Sequence, residues 1–400
     1  MERDITNLFL HESVDHLELL HIFQEHLGGG CLDDEDVFLF PCSKQFALKV
    51  TLADQRITKI ERGTNFTAKQ ITELQLRIQL ELREDQGIIV GRDILFHSWP
   101  VNGAFTSKMR QVQILPAPST APRPTVLWAD HPFVLEFTFR KSSNPQVTHY
   151  RQWELRHLWA WLFNAILRGS VKYIGPRSRR MWAIDHDEMG QQGTETKVRW
   201  SQEFYIVPGF QMLQDNFSVF EHARLALIPE NEYYSTYYSE EMSLPYTIDE
   251  IIGAYVKLSG DKRRRFQRAL SLVYNAQFFW EHNISSYYIA FVQAIETLSH
   301  STVRSIPCPT CKRDISPGPT KRFADFVNQY ATDLQLTNKQ QRWLYDVRSR
   351  IVHGAGLFQI DERPWNINFS ISYSRTDEAY KLISRLTRSV LINWLKQNTD

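Results

Sequence analysis

Hydrophobic and polar positions change their period part-way along the chain. In the first half, Leu74, Leu76, Ile78, Leu80 and Leu82 alternate with polar residues, the period-two signature of a half-buried strand. The runs VFLF (37–40), FALKVTL (46–52), FVLEFTF (133–139) and EFYIV (203–207) carry the β-branched and aromatic bias of further strands. One helix interrupts them: YRQWELRHLWAWLFNAIL (150–167), aromatic-rich and closed by Gly169. APSTAPRP, after Pro116, has no period and predicts an extended linker, and 185–196 reads as a polar loop.

From Thr247 the period becomes helical. Thr247-Ile-Asp-Glu250 and Thr337-Asn-Lys-Gln340 both have the form of a capping box, in which the first side chain and the fourth satisfy each other's backbone N–H groups. The expected helices run from about Asp261 to Trp280, through Tyr288, Val292, Ile295 and Leu298, over 321–331, through Trp343, Leu344, Val347 and Ile351, and finally through Tyr380, Ile383, Leu386, Val390 and Trp394. Gly354 supplies a stop. Such amphipathic helices bury their stripes against one another, which makes a bundle. The predicted fold class is therefore α+β multidomain: a β-rich region over 1–240, with a subdivision near 115–125, then an all-α helical bundle over 247–397.

Composition narrows the function classes. A hydrophobic share of 42% and a charged share of 23% are those of a globular chain, and a net charge of +1 leaves nucleic-acid binding to local basic patches. The start, Met1-Glu2-Arg3-Asp4, does not read as a signal peptide, and no apolar run approaches the length of a bilayer span. Four cysteines in 400 residues do not suggest a disulfide framework. The expectation is a reduced, cytoplasmic protein with no membrane contact.

The candidate chemistry concentrates in LYDVRSRIVHGAG (344–356). A histidine moves protons near neutral pH, and an arginine holds a phosphate while stabilising charge that grows on it, so Arg348 and His353 suit phosphodiester cleavage. Basic residues at a helix C-terminus are also favoured simply by the dipole. Five residues apart, the two diverge by about 140° around an ideal helix, so one chain does not present them on one strip. A loosened helix end, or a second chain, would have to bring them together.

Arg348-Ser-Arg-Ile-Val-His353 resembles the Arg-x4–6-His motif of the HEPN superfamily. The succession FVQAIETLSH, KRFADFVNQY, LYDVRSRIVHG is similar to the helix order of its Apea-like group, over roughly Thr247 to Gln397. The resemblance implies a metal-independent endoribonuclease that works as a homodimer, with no cofactor for catalysis and an antiviral, abortive-infection role. It implies His353 as general base or acid, Arg348 as stabiliser of the phosphorane, Ser349 as an orienting group and Glu296 as a partner that orients Arg348. The first half would sense an activating ligand or phage component. The alternative is a non-catalytic HEPN protein that dimerises, binds RNA and senses a ligand. Two departures stand out: GAGLFQID (354–361) lacks the tyrosine at which some HEPN toxins are silenced, and the motif does not by itself separate cutting from binding.

Secondary candidates are basic or thiol-bearing. Arg350, the Arg263-Arg264-Arg265 run and the Arg179-Arg180 pair beside Trp182 are candidate RNA contacts, weighed against ordinary solvated charge. Cys308 and Cys311 have the spacing of half a zinc site, which two chains could complete; free thiols are the alternative. His11, His16, His21 and His26 step by five and scatter around a helix rather than forming a metal face.

Overall fold

In the computed structural model the described residues are 4–10, 15–53, 56–82, 87–119, 121, 130–173, 181–184, 198–201, 210–220, 223–235, 239–280, 282–299, 306–307, 314–315, 318–362 and 371–399. They divide into two compact units. One comprises Met1–Gly91, Thr138–Arg156 and Leu213–Phe217; the other comprises Arg92–Phe137, His157–Met212 and Ser218–Asp400.

In the first unit, α1 (His16–Leu27) precedes an antiparallel meander of β1 (Cys31–Asp34), β2 (Val37–Phe40), β3 (Leu48–Ala53) and β4 (Arg56–Arg62), followed by α2 (Ala68–Leu82). Asp15 starts α1 by accepting the N–H groups of Leu17 and Glu18. One apolar core joins Leu19, Ile22 and Phe23 of α1, Leu48, Val50 and Ile60 of the sheet, and Ile71, Leu74 and Ile78 of α2.

Two expectations are overturned here. The alternating stretch 74–82 is helix, not strand. Its leucines fall into two sets: Leu74 and Ile78 are buried with Ile71 at helical spacing, while Leu76 and Leu80 are half exposed. A run of leucines satisfies both periods, and packing chose the helical one. Likewise Cys31 and Cys42 form a disulfide. The β1–β2 hairpin sets Cys31 opposite Leu39, and the Cys42 N–H bonds Gly29, which brings the Cα atoms to 5.0 Å. This pair removes the free-thiol argument for a reducing compartment.

The chain continues through β5 (Ile88–His97), β6 (Phe105–Thr106), β7 (Val112–Pro116) and β8 (His131–Arg140), then α3 (Pro145–Ile166) and β9 (Val171–Tyr173). The hydrogen-bonded order is β5-β8-β7-β6, and β9 pairs β5. The hairpin β10 (Met181–Ile184) and β11 (Val198–Ser201) follows, then β12 (Leu213–Gln214), β13 (Leu227–Ile228), α4 (Glu230–Ser235) and β14 (Leu244–Pro245). The expected strand at 203–207 and the loop at 185–196 lie outside the described residues. Glu136, fully buried on β8, is held by Arg92, Gln113 and Ser218. A carboxylate so deep survives only with its lone pairs satisfied.

The helices of the last third are α5 (Ile248–Lys257), α6 (Gly260–Phe279), α7 (Ile284–Ser299), α8 (Pro319–Tyr330), α9 (Asn338–Val352), α10 (Gln359–Glu362) and α11 (Ile371–Asn398). They pack as a bundle with α7 at its centre, touched by α6, α8, α9 and α11. The α7 sequence explains its place: Tyr288, Ala290, Phe291, Val292, Ala294, Ile295 and Leu298 form a broad buried face. The predicted faces of α9 and α11 are buried at Leu344, Val347, Ile383, Leu386, Val390 and Trp394. Arg388 of α11 donates to the carbonyls of Ala165 and Leu167, which would otherwise lie unpaired at the end of α3.

Of the two expected capping boxes, only one forms. Thr337 and Gln340 bond reciprocally at the start of α9. At α5, the Thr247 hydroxyl is buried without a hydrogen bond. Its would-be partner Glu250 instead pairs with Lys396, and Asp249 accepts the Lys108 N–H, so tertiary partners replace the local box.

Candidate functional site

The site grows from the meeting of α7, α8 and α9. Tyr345 and Arg348 are three apart on α9 and share a face. Both reach Glu296, the one carboxylate on the buried helix α7. The Tyr345 hydroxyl donates to Oε1 at 2.8 Å, and Nη2 of Arg348 donates to Oε2 at 3.1 Å. The carboxylate thus bridges the two side chains, and the Arg348 guanidinium lies 5.5 Å from the Tyr345 ring. Glu296 and Arg348 are both about one-fifth exposed, so the pair is shielded yet open on one side.

Electrostatics fix the state of the tyrosine. Burial, then the hydrogen bond and negative charge of Glu296, push the Tyr345 hydroxyl up to about 12, opposed by the charges of Arg348 and Arg322. Tyr345 is therefore a permanent donor near neutral pH. The sequence reading picked Glu296 and Arg348 but not Tyr345. The signal was present, because Tyr345 and Arg348 stand at i and i+3 and must face the same neighbour.

His353 sits where α9 ends. It is the C-cap, its N–H bonds the Ser349 carbonyl at 3.0 Å, and Gly354 follows with φ of 68°, a left-handed conformation that glycine adopts freely. The imidazole is exposed, with no hydrogen bond or ion pair to a described residue. The five-residue spacing turns it away from Glu296 and Arg348, so a single chain does not bring acid–base group and guanidinium together. Ser349 is half-buried, and its hydroxyl bonds no described residue; Arg350 is exposed.

Beside this end lies a cleft of about 450 Å³, walled by Leu272, Phe279, Ile289, Gln293, Ile351 and Leu357. Gln293 precedes Glu296 by three residues and Ile351 follows Arg348 by three, so the cleft opens about one helical turn from the ion pair. Leu357 on its wall is an exposed apolar residue, as are Val352 and Ile360 on either side of it in the chain.

The other predicted contacts are elsewhere. Arg263 stacks over Tyr255 and Arg264 pairs with Asp261. Neither these two nor Arg265 reaches Glu296, Tyr345 or Arg348 by a hydrogen bond or ion pair. Arg179, Arg180, Cys308 and Cys311 lie outside the described residues, and with them the zinc hypothesis. Among the described residues no group of three or more His, Cys, Asp or Glu side chains is placed to hold a metal ion, and no helix is long and apolar enough to cross a membrane. His16 and His26 serve the first unit: His16 accepts the Ile57 N–H, and His26 joins α1 to α2 through Glu81 at 2.5 Å.

Comparison with family models, curated proteins and solved structures found no match. The assignment of the site rests on its own geometry.

Proposed function

We propose that the protein is a metal-independent endoribonuclease of HEPN type, acting as a homodimer in antiviral, abortive-infection defence. What carries the reading is the Glu296-held Arg348, one helical turn and a half from an unpaired, exposed imidazole at the helix end. A structural arginine and histidine would be expected to spend their donors on the protein; here the His353 imidazole bonds no described residue, and Nε of Arg348 is buried without an acceptor.

In this reading two copies pair around the exposed apolar residues near His353 and face their sites into one cleft. His353 takes the proton of a ribose 2′-OH, whose oxygen attacks the adjacent phosphorus. Arg348, aimed by Glu296, neutralises the charge on the phosphorane. The P–O5′ bond breaks, and the leaving oxygen takes a proton from a protonated imidazole, which gives a 2′,3′-cyclic phosphate and a 5′-hydroxyl. Restraint by the first half, until a trigger binds, completes the proposal by analogy.

The test is incubation with RNA in chelator, with His353→Ala and Arg348→Ala in parallel. Cleavage with cyclic-phosphate ends, lowered in both variants by roughly a hundredfold or more, is the expected outcome. Equal cleavage by all three proteins defeats the site. Metal-free RNA binding by all three with no cleavage in the presence of infected-cell extract favours the non-catalytic reading.

A further inference from the structure

The cluster around Glu296 holds more positive charge than its chemistry requires. Arg322, in the first turns of α8, is half-buried, and its side chain makes no hydrogen bond or ion pair to a described residue. Its Nε is buried without an acceptor, as is Nε of Arg348. Both arginines act on one tyrosine. The Tyr345 ring packs on Phe323, the neighbour of Arg322, at 5.3 Å, and the charges of both arginines act on its hydroxyl. Glu296 is engaged with Arg348 and Tyr345. Burying part of a guanidinium without a carboxylate is costly, so a folded chain that does so leaves the charge ready for an anion from outside.

We infer that Arg322 binds a non-scissile phosphate of the substrate strand, next to the phosphate that Arg348 holds. The inference rests on the ribonuclease reading and extends it to a two-phosphate footprint. Three features fit a backbone contact rather than a catalytic one. Arg322 is on a different helix from the motif and is oriented by no carboxylate. Its sequence neighbour Phe323 packs on the Tyr345 ring, against which Arg348 also lies. A guanidinium is also suited to bidentate phosphate binding. The footprint would set the strand's register, with Arg322 supplying affinity and Arg348 the transition-state interaction.

The experiment measures binding of a fully 2′-O-methylated oligoribonucleotide, which lacks the nucleophile, to the full-length chain across a range of salt. Arg322→Gln and Arg322→Lys are compared with wild type, and near-ultraviolet circular dichroism verifies their folding. Arg322→Gln should weaken binding at low salt and reduce the slope of log K against log salt by about 0.7, one phosphate contact on a single strand. Arg322→Lys should keep most of that slope. In cleavage of unmodified RNA, Arg322→Gln should raise KM and leave kcat nearly unchanged.

Unchanged affinity and slope in Arg322→Gln, with RNA still bound and cleaved by wild type, overturns the phosphate assignment and leaves the nuclease intact. A fall in kcat matching that of Arg348→Ala, at constant KM, also overturns it, because Arg322 would then act at the reacting phosphate. Absence of both binding and cleavage in wild type, with infected-cell extract supplied as the trigger, sinks the ribonuclease reading, and this inference with it.

Discussion

At the scale of residues, the chemistry of the site turns on a bridging carboxylate. Glu296 is useful because it is the single carboxylate on a helix whose greater part is buried. A protonated Tyr345 holds Oε1 while Oε2 orients Arg348. Tyr345 keeps its proton up to about 12 in the folded chain and would lose it near 10.0 once unfolded. Between those values the folded state binds more protons than the unfolded one, so this contribution to stability is complete below pH 10 and is lost as pH rises through the window. Tyr345→Phe should therefore flatten the alkaline limb of a stability–pH curve. At neutral pH it should cost about 1–2 kcal/mol, the worth of a hydrogen bond to a charged acceptor less what water restores at a half-open site. Denaturant titrations at several pH values measure both effects. An unchanged alkaline limb would mean that Tyr345 is not the group that couples to Glu296.

At the scale of elements, local signals held where no tertiary partner competed with them. The capping box at Thr337 and Gln340 forms because both side chains are exposed and have each other. Its removal by Thr337→Ala should cost about 1 kcal/mol, read as a lower denaturation midpoint at unchanged slope, with a matching loss of helicity at the start of α9. The equivalent box at Thr247 was equally legible and does not form, since Glu250 and Asp249 are drawn to Lys396 and the Lys108 backbone. The stretch 74–82 failed differently. Leucine has no strong strand bias, and an i, i+2 series contains an i, i+4 series within it, so Leu74 and Ile78 could serve a helix face as readily as a strand face.

At the scale of the whole molecule, the arrangement of Arg348 and His353 makes oligomeric state the decisive property. With the two side chains turned apart on one helix, catalysis in the proposed function needs a second chain. Specific activity should then fall on dilution, in step with the dissociation measured by light scattering or sedimentation, and return on concentration. Activity independent of concentration across a range where only monomer is present would exclude a shared site.

The sequence alone determined the change of period near Thr247, the helical faces of α7, α9 and α11, the stop at Gly354 and the presence of Arg348, Glu296 and His353. These are properties of neighbours along the chain, set by helical geometry and by the glycine backbone. Only the tertiary structure decided that Glu296 meets both Arg348 and Tyr345, that Arg322 pairs with no described carboxylate, that Cys31 reaches Cys42, and that 74–82 is a helix. Each of these depends on which surface is buried against which, and burial joins residues whose separation in sequence carries no periodic signal. His353 shows the boundary between the two. Its position at a glycine-capped helix end follows from the sequence, whereas the exposure of its imidazole, which bonds no described residue, follows from the way the bundle packs around α7.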